Sequence, residues 1–139
     1  MNKMQIILDE LAKKPTRAHD TDAGLDLYSR ENKIIPAKGS ATFDTGVHIQ
    51  LPKDTAGILF SKSGLNVKAG LTSTGVIDEG YTGSIVVKLY NHSDFDYKVN
   101  IHDKITQLVI FPILKPELEL TTKFEKTNRG DKGFGSSGK

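Results

Sequence analysis

The 139-residue sequence contains no cysteine and no tryptophan. Without cysteine there is no disulfide framework, no thiolate metal ligand and no thiol nucleophile. Aromatic residues make up only 7% and hydrophobic residues 37%, so a core built by one copy is modest and association of copies is an early expectation. Nineteen basic against seventeen acidic side chains leave a net charge of +2. That is too small to point to nucleic acid or an anionic membrane as partner. No apolar run approaches the roughly 20 residues of a membrane-crossing helix. Ile6-Ile7-Leu8 is also too short for the apolar region of a secretory leader, and it runs into Asp9-Glu10. The expectation is one soluble, cytoplasmic domain, since a chain of this length has no room for a second core of ordinary size.

What is present is period-two patterning and thirteen glycines. Val47-His48-Ile49-Gln50-Leu51 and Leu118-Glu119-Leu120 alternate as strands with one buried face. Ile58-Leu59-Phe60, Ile85 to Leu89 and Leu108 to Phe111 are short apolar runs that read as more deeply buried strands of a sandwich or barrel. Turn signals separate them at Ala37–Ser40, Pro52–Asp54, Asp78–Gly80 and Asn91–Asp94. Pro112 and Pro116 predict that the strand ending near Phe111 leaves the sheet or lies at its edge. Helix has little support, and Gln5 to Leu8 reads as a first strand. The last segment, from Thr127, carries one large apolar residue among polar and glycine neighbours. Taken by itself it reads as a frayed tail.

Several local patterns carry chemistry, each beside a plainer meaning. Asp20 to Asp26 with Glu31 invites a calcium loop, but Gly24 and Leu25 stand where an oxygen ligand and a turn glycine are needed. His19, His48, His92 and His102 show no close metal-ligand spacing and are expected at surface or rim positions. Gly133 to Lys139 fits G-x-x-x-x-G-K, but a P-loop continues into a Ser or Thr and a helix, which do not follow here. Its small residues, two hydroxyls, Arg129 and Lys132 nonetheless suit a polyphosphate, and Phe134 offers a flat face for a base. Gly75 to Gly83 reads as a hairpin. Asp78 within it is a turn residue on ordinary preferences, or the carboxylate that takes a proton from water. Gln107 is either a polar strand entry or a donor to a phosphate oxygen.

In order along the chain stand Ala23-Gly24-Leu25-Asp26-Leu27, Ser61-Lys62-Ser63-Gly64-Leu65, and Gly75-Val76-Ile77-Asp78-Glu79-Gly80-Tyr81-Thr82-Gly83. Asp103-Lys104-Ile105-Thr106-Gln107-Leu108 and the segment from Arg129 to Gly138 follow. Together these five motifs resemble the trimeric dUTPase family; the third and fifth are the most specific. The resemblance implies an all-β, jelly-roll-like barrel with little or no helix, assembled as a homotrimer with three shared active sites. It divides the chain into a β-barrel domain, 1–125, and a flexible glycine-rich tail, 126–139, that closes over the site. The implied reaction is Mg²⁺-dependent hydrolysis of dUTP to dUMP and pyrophosphate, keeping uracil out of DNA and supplying dUMP.

Carried over residue by residue, Asp78 would activate the water that attacks the α-phosphorus. Gly75, Val76 and Ile77 would read uracil through the backbone, with Tyr81 beneath the deoxyribose. Lys62, Ser63 and Gly64 would contact the phosphate chain and Gln107 the α-phosphate. Arg129, Gly135, Ser136 and Ser137 would close on the β- and γ-phosphates, with Phe134 over the uracil. Asp26 would support the site, and Mg²⁺ would be held by substrate phosphates and water rather than by protein ligands. The sequence departs from the family at Lys62, where Arg is usual, at His102 and Lys104, where Gly and Arg are usual, and at Asp131-Lys132, where smaller residues stand. Those departures touch phosphate contact, not the presumed base.

Two alternatives stand beside this reading: a dCTP deaminase-like relative on the same fold, and a regulatory protein-interaction module with an unidentified protein partner. Nine of the thirteen glycines fall inside the five motifs. Residues 123–139 hold five basic groups against two acidic ones, +3, while the remainder is −1. A nearly neutral total conceals a cationic tail suited to a triphosphate.

Overall fold

The computed structural model describes residues 3–135 and 137–138. It is an all-β, jelly-roll-like body with a single short helix among the described residues. The strands are β1 (Gln5–Leu8), β2 (Leu25–Tyr28), β3 (Lys33–Ile35), β4 (Ser40–Asp44), β5 (Val47–Gln50) and β6 (Thr55–Phe60). Helix α1 (Ser63–Ala69) follows, then β7 (Leu71–Thr72), β8 (Thr74–Ile77), β9 (Val86–Asn91), β10 (Tyr97–Val99) and β11 (Lys104–Pro112). A four-stranded antiparallel sheet runs β2-β11-β6-β8 and a three-stranded one β4-β9-β7, with the pairs β1-β5 and β10-β3 completing the wrap. Leu27, Ile35, Phe43, Val47, Ile49, Leu59, Ile85, Val87, Leu89, Val99, Ile105 and Leu108 form one buried cluster between them.

Alternation makes these strands. In β9, Val87, Leu89 and Asn91 are buried while Val86, Lys88 and Tyr90 face outward. The apolar runs at 58–60, 85–89 and 108–111 are therefore buried on one face, not on both as their composition suggests. On the four-stranded sheet, Leu59 and Leu108 enter the core, while Phe60 and Phe111 remain about 40% exposed and meet edge to face at 6.2 Å. This outer apolar face is uncovered within the single chain.

Three other expectations are corrected. Leu118-Glu119-Leu120 is not a strand, and its two leucines are fully exposed; alternation without a neighbouring strand has no ladder to join. The segment 75–83 is the end of β8 followed by a turn between sheets rather than a two-strand hairpin, since β8 pairs with β6 while β9 pairs with β4 and β7. The chain after Asp78 is drawn to the β4–β5 turn, where Ile85 N–H donates to the Val47 carbonyl at 2.8 Å. Helix α1 has no sequence forecast: it lacks a side-chain N-cap bond and buries no residue. It ends on Gly70 at φ 68°, a left-handed C-cap that suits glycine. Pro112 closes β11, which lies between β2 and β6, so the chain leaves the sheet there.

Candidate active site

The four-stranded sheet gathers four of the five motifs. β2 carries the first, β11 the fourth, β6 delivers the second at its C-terminal end, and β8 opens the third. Asp26 pairs with Gln107, Gln107 with Phe60, and Phe60 with Thr74. Directly paired residues share a face, so this row lies on the outer side, opposite the core leucines.

At the β2 end, Asp26 is only 4% exposed. Its Oδ1 accepts a short hydrogen bond from Lys62 Nζ, and Lys104 Nζ stands 3.2 Å from its Oδ2. The Asp26 hydrogen bond, and then its charge, raise the Lys104 ammonium above the usual lysine range. A buried carboxylate held by two cations is compensated, as it must be. Beside it, Gln107 Nε2 donates to the Ser61 carbonyl at 3.0 Å. A Cβ on Gly24 would stand 2.3 Å from Gln107 Oε1, so glycine is what lets the glutamine lie across the β2 entry. Ser61 and Ser73 bond reciprocally: Ser61 Oγ donates to the Ser73 carbonyl and accepts from its N–H. Ser73 Oγ meets Thr106 Oγ1 at 2.8 Å, and Thr106 in turn donates to the Phe60 carbonyl. This net fixes the strand end from which Lys62, Ser63 and Gly64 project. Ser63 and Gly64 are exposed at the first turn of α1, where helix geometry leaves backbone N–H groups without intrahelical acceptors.

At the β8 end, a groove of about 250 Å³ is lined by Leu59, Gly75, Val76, Ile77, Asp78, Tyr81, Ile85 and Val86. Asp78 is exposed at its rim. The turn behind it is fixed by Tyr81 N–H donating to the Asp78 carbonyl at 3.0 Å and the Tyr81 hydroxyl donating to the Ser84 carbonyl at 2.8 Å. Glu79 Oε1 accepts the Asp54 N–H at 2.6 Å and lies 3.2 Å from Lys115 Nζ. The Asp54 bond, then Lys115, hold the Glu79 carboxyl below the usual carboxylate range.

The structure thus makes two clusters, Asp26–Lys62–Gln107 and Gly75–Tyr81, and keeps them apart. Asp78 lies four residues beyond Thr74 and two strands from Gln107, roughly 16 Å at ordinary strand spacings. The described residues of the fifth motif join neither. Arg129 Nε donates to the Lys132 carbonyl at 2.8 Å within its own turn. Phe134 is fully exposed, and Gly135 and Ser137 are exposed as well. Ser136 lies outside the described residues. Sequence reasoning missed Lys104 as a partner of Asp26, Ser61 as the Gln107 acceptor, and the Ser73–Thr106 net. Only three-dimensional pairing brings them together. Among the described residues, no three His, Cys, Asp or Glu side chains cluster as a metal site, and no helix is long and apolar enough to cross a membrane.

The dUTPase family model matches residues 10–138. A deoxyuridine 5'-triphosphate nucleotidohydrolase of Alkaliphilus metalliredigens is 43% identical over 134 residues, covering 94% of this chain and 93% of the relative. Among solved structures, the Staphylococcus bacteriophage 80alpha dUTPase with dUPNHPP superposes with a TM-score of 0.93 at 34% identity, covering 99% of both chains. A phage phi11 dUTPase of S. aureus, described with a coordinated structural Mg(II) ion, gives a TM-score of 0.84 at 32% identity over 90% of this chain and all of that one. With motifs, fold and relatives in agreement, the chain belongs to the dUTPase family.

Proposed function

We propose that the protein hydrolyses dUTP to dUMP and pyrophosphate, in a homotrimer whose sites are shared between chains. The observation that carries the reading is an exposed carboxylate, Asp78, at the rim of a groove walled by Gly75, Val76, Ile77 and Tyr81, in a chain whose family match runs over residues 10–138. Asp78 takes the proton of the water that attacks the α-phosphorus, and pyrophosphate leaves. Backbone groups of Gly75–Ile77 read the uracil edge, and the Tyr81 ring packs against the sugar. Lys62, Ser63, Gly64 and Gln107 hold the phosphates from the other cluster. Arg129, Gly135, Ser136 and Ser137 close on the terminal phosphates, and Phe134 covers the base. Residues 126–139 act as this closing tail on a body formed by 1–125, and Asp26 anchors the phosphate cluster through Lys62 and Lys104. Positioning and charge compensation are most of what phosphoryl transfer requires.

The roughly 16 Å between Asp78 and Gln107 supports the shared site, because both are assigned to the same α-phosphate and one chain does not bring them together. The outer sheet face supports it too. Phe60, Val76 and Phe111 are exposed there, and beyond β11 Leu114, Leu118, Leu120 and Phe124 have no cover in their own chain. Further copies of the chain would bury these side chains. Mg²⁺ fits as a group carried in by the triphosphate. The described residues offer no carboxylate–histidine cage, and the buried Asp26 is already engaged by two lysines. Bound in that way, it supplies neutralisation of the charge that develops on the phosphate oxygens. The cytoplasm is the proposed location.

Asp78→Asn tests the base assignment. The variant is expected to bind dUTP with little change while turnover falls on the order of 10²-fold or more; calorimetric binding together with pyrophosphate release measures both. Retained turnover removes Asp78 from the role.

A further inference from the structure

We propose that His48 is a positioning residue for the Asp78–Tyr81 turn, gripping the Thr82 carbonyl as one of two bonds made by a doubly donating imidazolium. His48 lies in β5 opposite Ile7 of β1, between the buried Val47 and Ile49, with its ring directed away from the core. Its Nε2 is 2.9 Å from Asp9 Oδ2 and its Nδ1 is 2.8 Å from the Thr82 carbonyl oxygen. A carboxylate and a carbonyl offer only lone pairs. Both contacts therefore need an N–H from the ring, and neutral imidazole has one. The charged groups around the ring are Asp9, on the turn after β1, and Asp44, at the end of β4 and itself 3.2 Å from Arg30. The β1–β5 groove presents Gln5, Ile7 and Gln50, none of them ionisable, and the loop presents Thr82. The Asp9 hydrogen bond first, then the Thr82 carbonyl, hold the His48 pKa above its ordinary value.

Thr82 follows Tyr81 directly, so the grip acts on the backbone that carries the sugar-packing ring and closes the Asp78 turn. Other holds flank it: Glu79 on the Asp54 N–H, and Ser84 on the Asp44 carboxylate and the Gly46 N–H. Their carboxylates lie below the usual range, which leaves His48 as the hold that titrates nearest neutrality. Below its pKa both bonds stand. As pH rises through that raised value, one proton leaves, and the carboxylate, the stronger acceptor, keeps the remaining N–H. The Nδ1 lone pair then faces the Thr82 carbonyl oxygen and the grip is lost. The stability His48 contributes follows the same sign: it is full below about pH 6.5, the unfolded value, and is lost as pH rises through the folded one.

The inference rests on the dUTPase reading for its kinetic readout, and on the ring geometry for a second readout that needs no activity. An asparagine at 48 places its amide nitrogen near the Nδ1 position and keeps a donor to Thr82; a glutamine places it near Nε2 and keeps only Asp9. His48→Asn is expected to retain kcat for dUTP and to lack the alkaline decline of the wild type. His48→Gln is expected to lose about tenfold in kcat at every pH, as a small displacement of the turn implies, with melting temperature within a few degrees in both variants. In parallel, NMR titration of the wild-type ring should give a pKa above 6.5 that falls in Asp9→Asn. Identical kcat and pH profiles for the two His48 variants, or a ring pKa at or below the ordinary value, overturn the proposal. A wild type inactive on dUTP overturns the activity reading instead, and the ring titration then still decides whether the imidazolium grip exists.

Discussion

Gly24 and Gln107 show how a single hydrogen atom in place of a side chain seats a neighbouring amide, here the one proposed to hold phosphate. The amide of Gln107 rests over Gly24 and donates to the Ser61 carbonyl, and a Cβ at position 24 would stand 2.3 Å from its oxygen. The obstacle is mainly the far end of a flexible side chain, so Gly24→Ala displaces the amide rather than the fold. We expect turnover of dUTP to drop about tenfold, with thermal unfolding shifted by only a few degrees; unchanged turnover would remove Gln107 from the phosphate site. Asp26 and Gln107 could be singled out from their motifs. Their mutual contacts could not, because Lys104 meets Asp26 only once β2 and β11 are paired, and Lys62 only once β6 is added beyond β11. For the same reason His48 reads in the sequence as a plain rim histidine. Nothing near it in the chain indicates Asp9 on one side and Thr82 on the other.

At the scale of elements, alternation locates β5 and short apolar runs locate β6, β9 and β11, with Gln5 to Leu8 read as the first strand, because strands with a buried face concentrate apolar residues between turn signals. It fails where burial is not what shapes the segment. Helix α1 packs no buried residue, so it leaves no apolar stripe to read. Leu118 and Leu120 alternate without a strand, because no neighbouring strand in the same chain pairs with them. The turn from Asp78 to Gly83 has the residues of a hairpin, yet its two flanking strands join different sheets. Among its described residues the tail makes only local bonds, such as Arg129 to Lys132, and this has a direct consequence. Deleting the chain from Arg129 onward should lower dUTP turnover by up to about 10³-fold while calorimetry shows little change in melting temperature. An equal loss of stability would make the tail part of the core.

The whole molecule explains the modest apolar content noted at the start. One chain buries a single cluster between its sheets and leaves Phe60, Val76 and Phe111 on an outer face, continuous with the row that holds Asp26 and Gln107. The composition of that face reads as buried strand, and the reading is sound if the burying surface belongs to another copy. In the proposed homotrimer, Asp78 of one chain would meet the phosphate cluster and the tail of others. Refolding the tail-deleted chain together with Asp78→Asn should therefore restore activity, since mixed assemblies combine an intact Asp78 from one chain with an intact tail from the other. No recovery would place each site within a single chain. The central claim is the reaction itself, and pyrophosphate release from dUTP, dTTP, dCTP and UTP under one set of conditions tests it most directly. The account predicts release from dUTP at least about 10²-fold faster than from each of the other three, because the proposed site reads uracil through backbone groups of the groove and sets Tyr81 against the position of a 2′-hydroxyl. Comparable rates across the panel, or no release from dUTP, would contradict it.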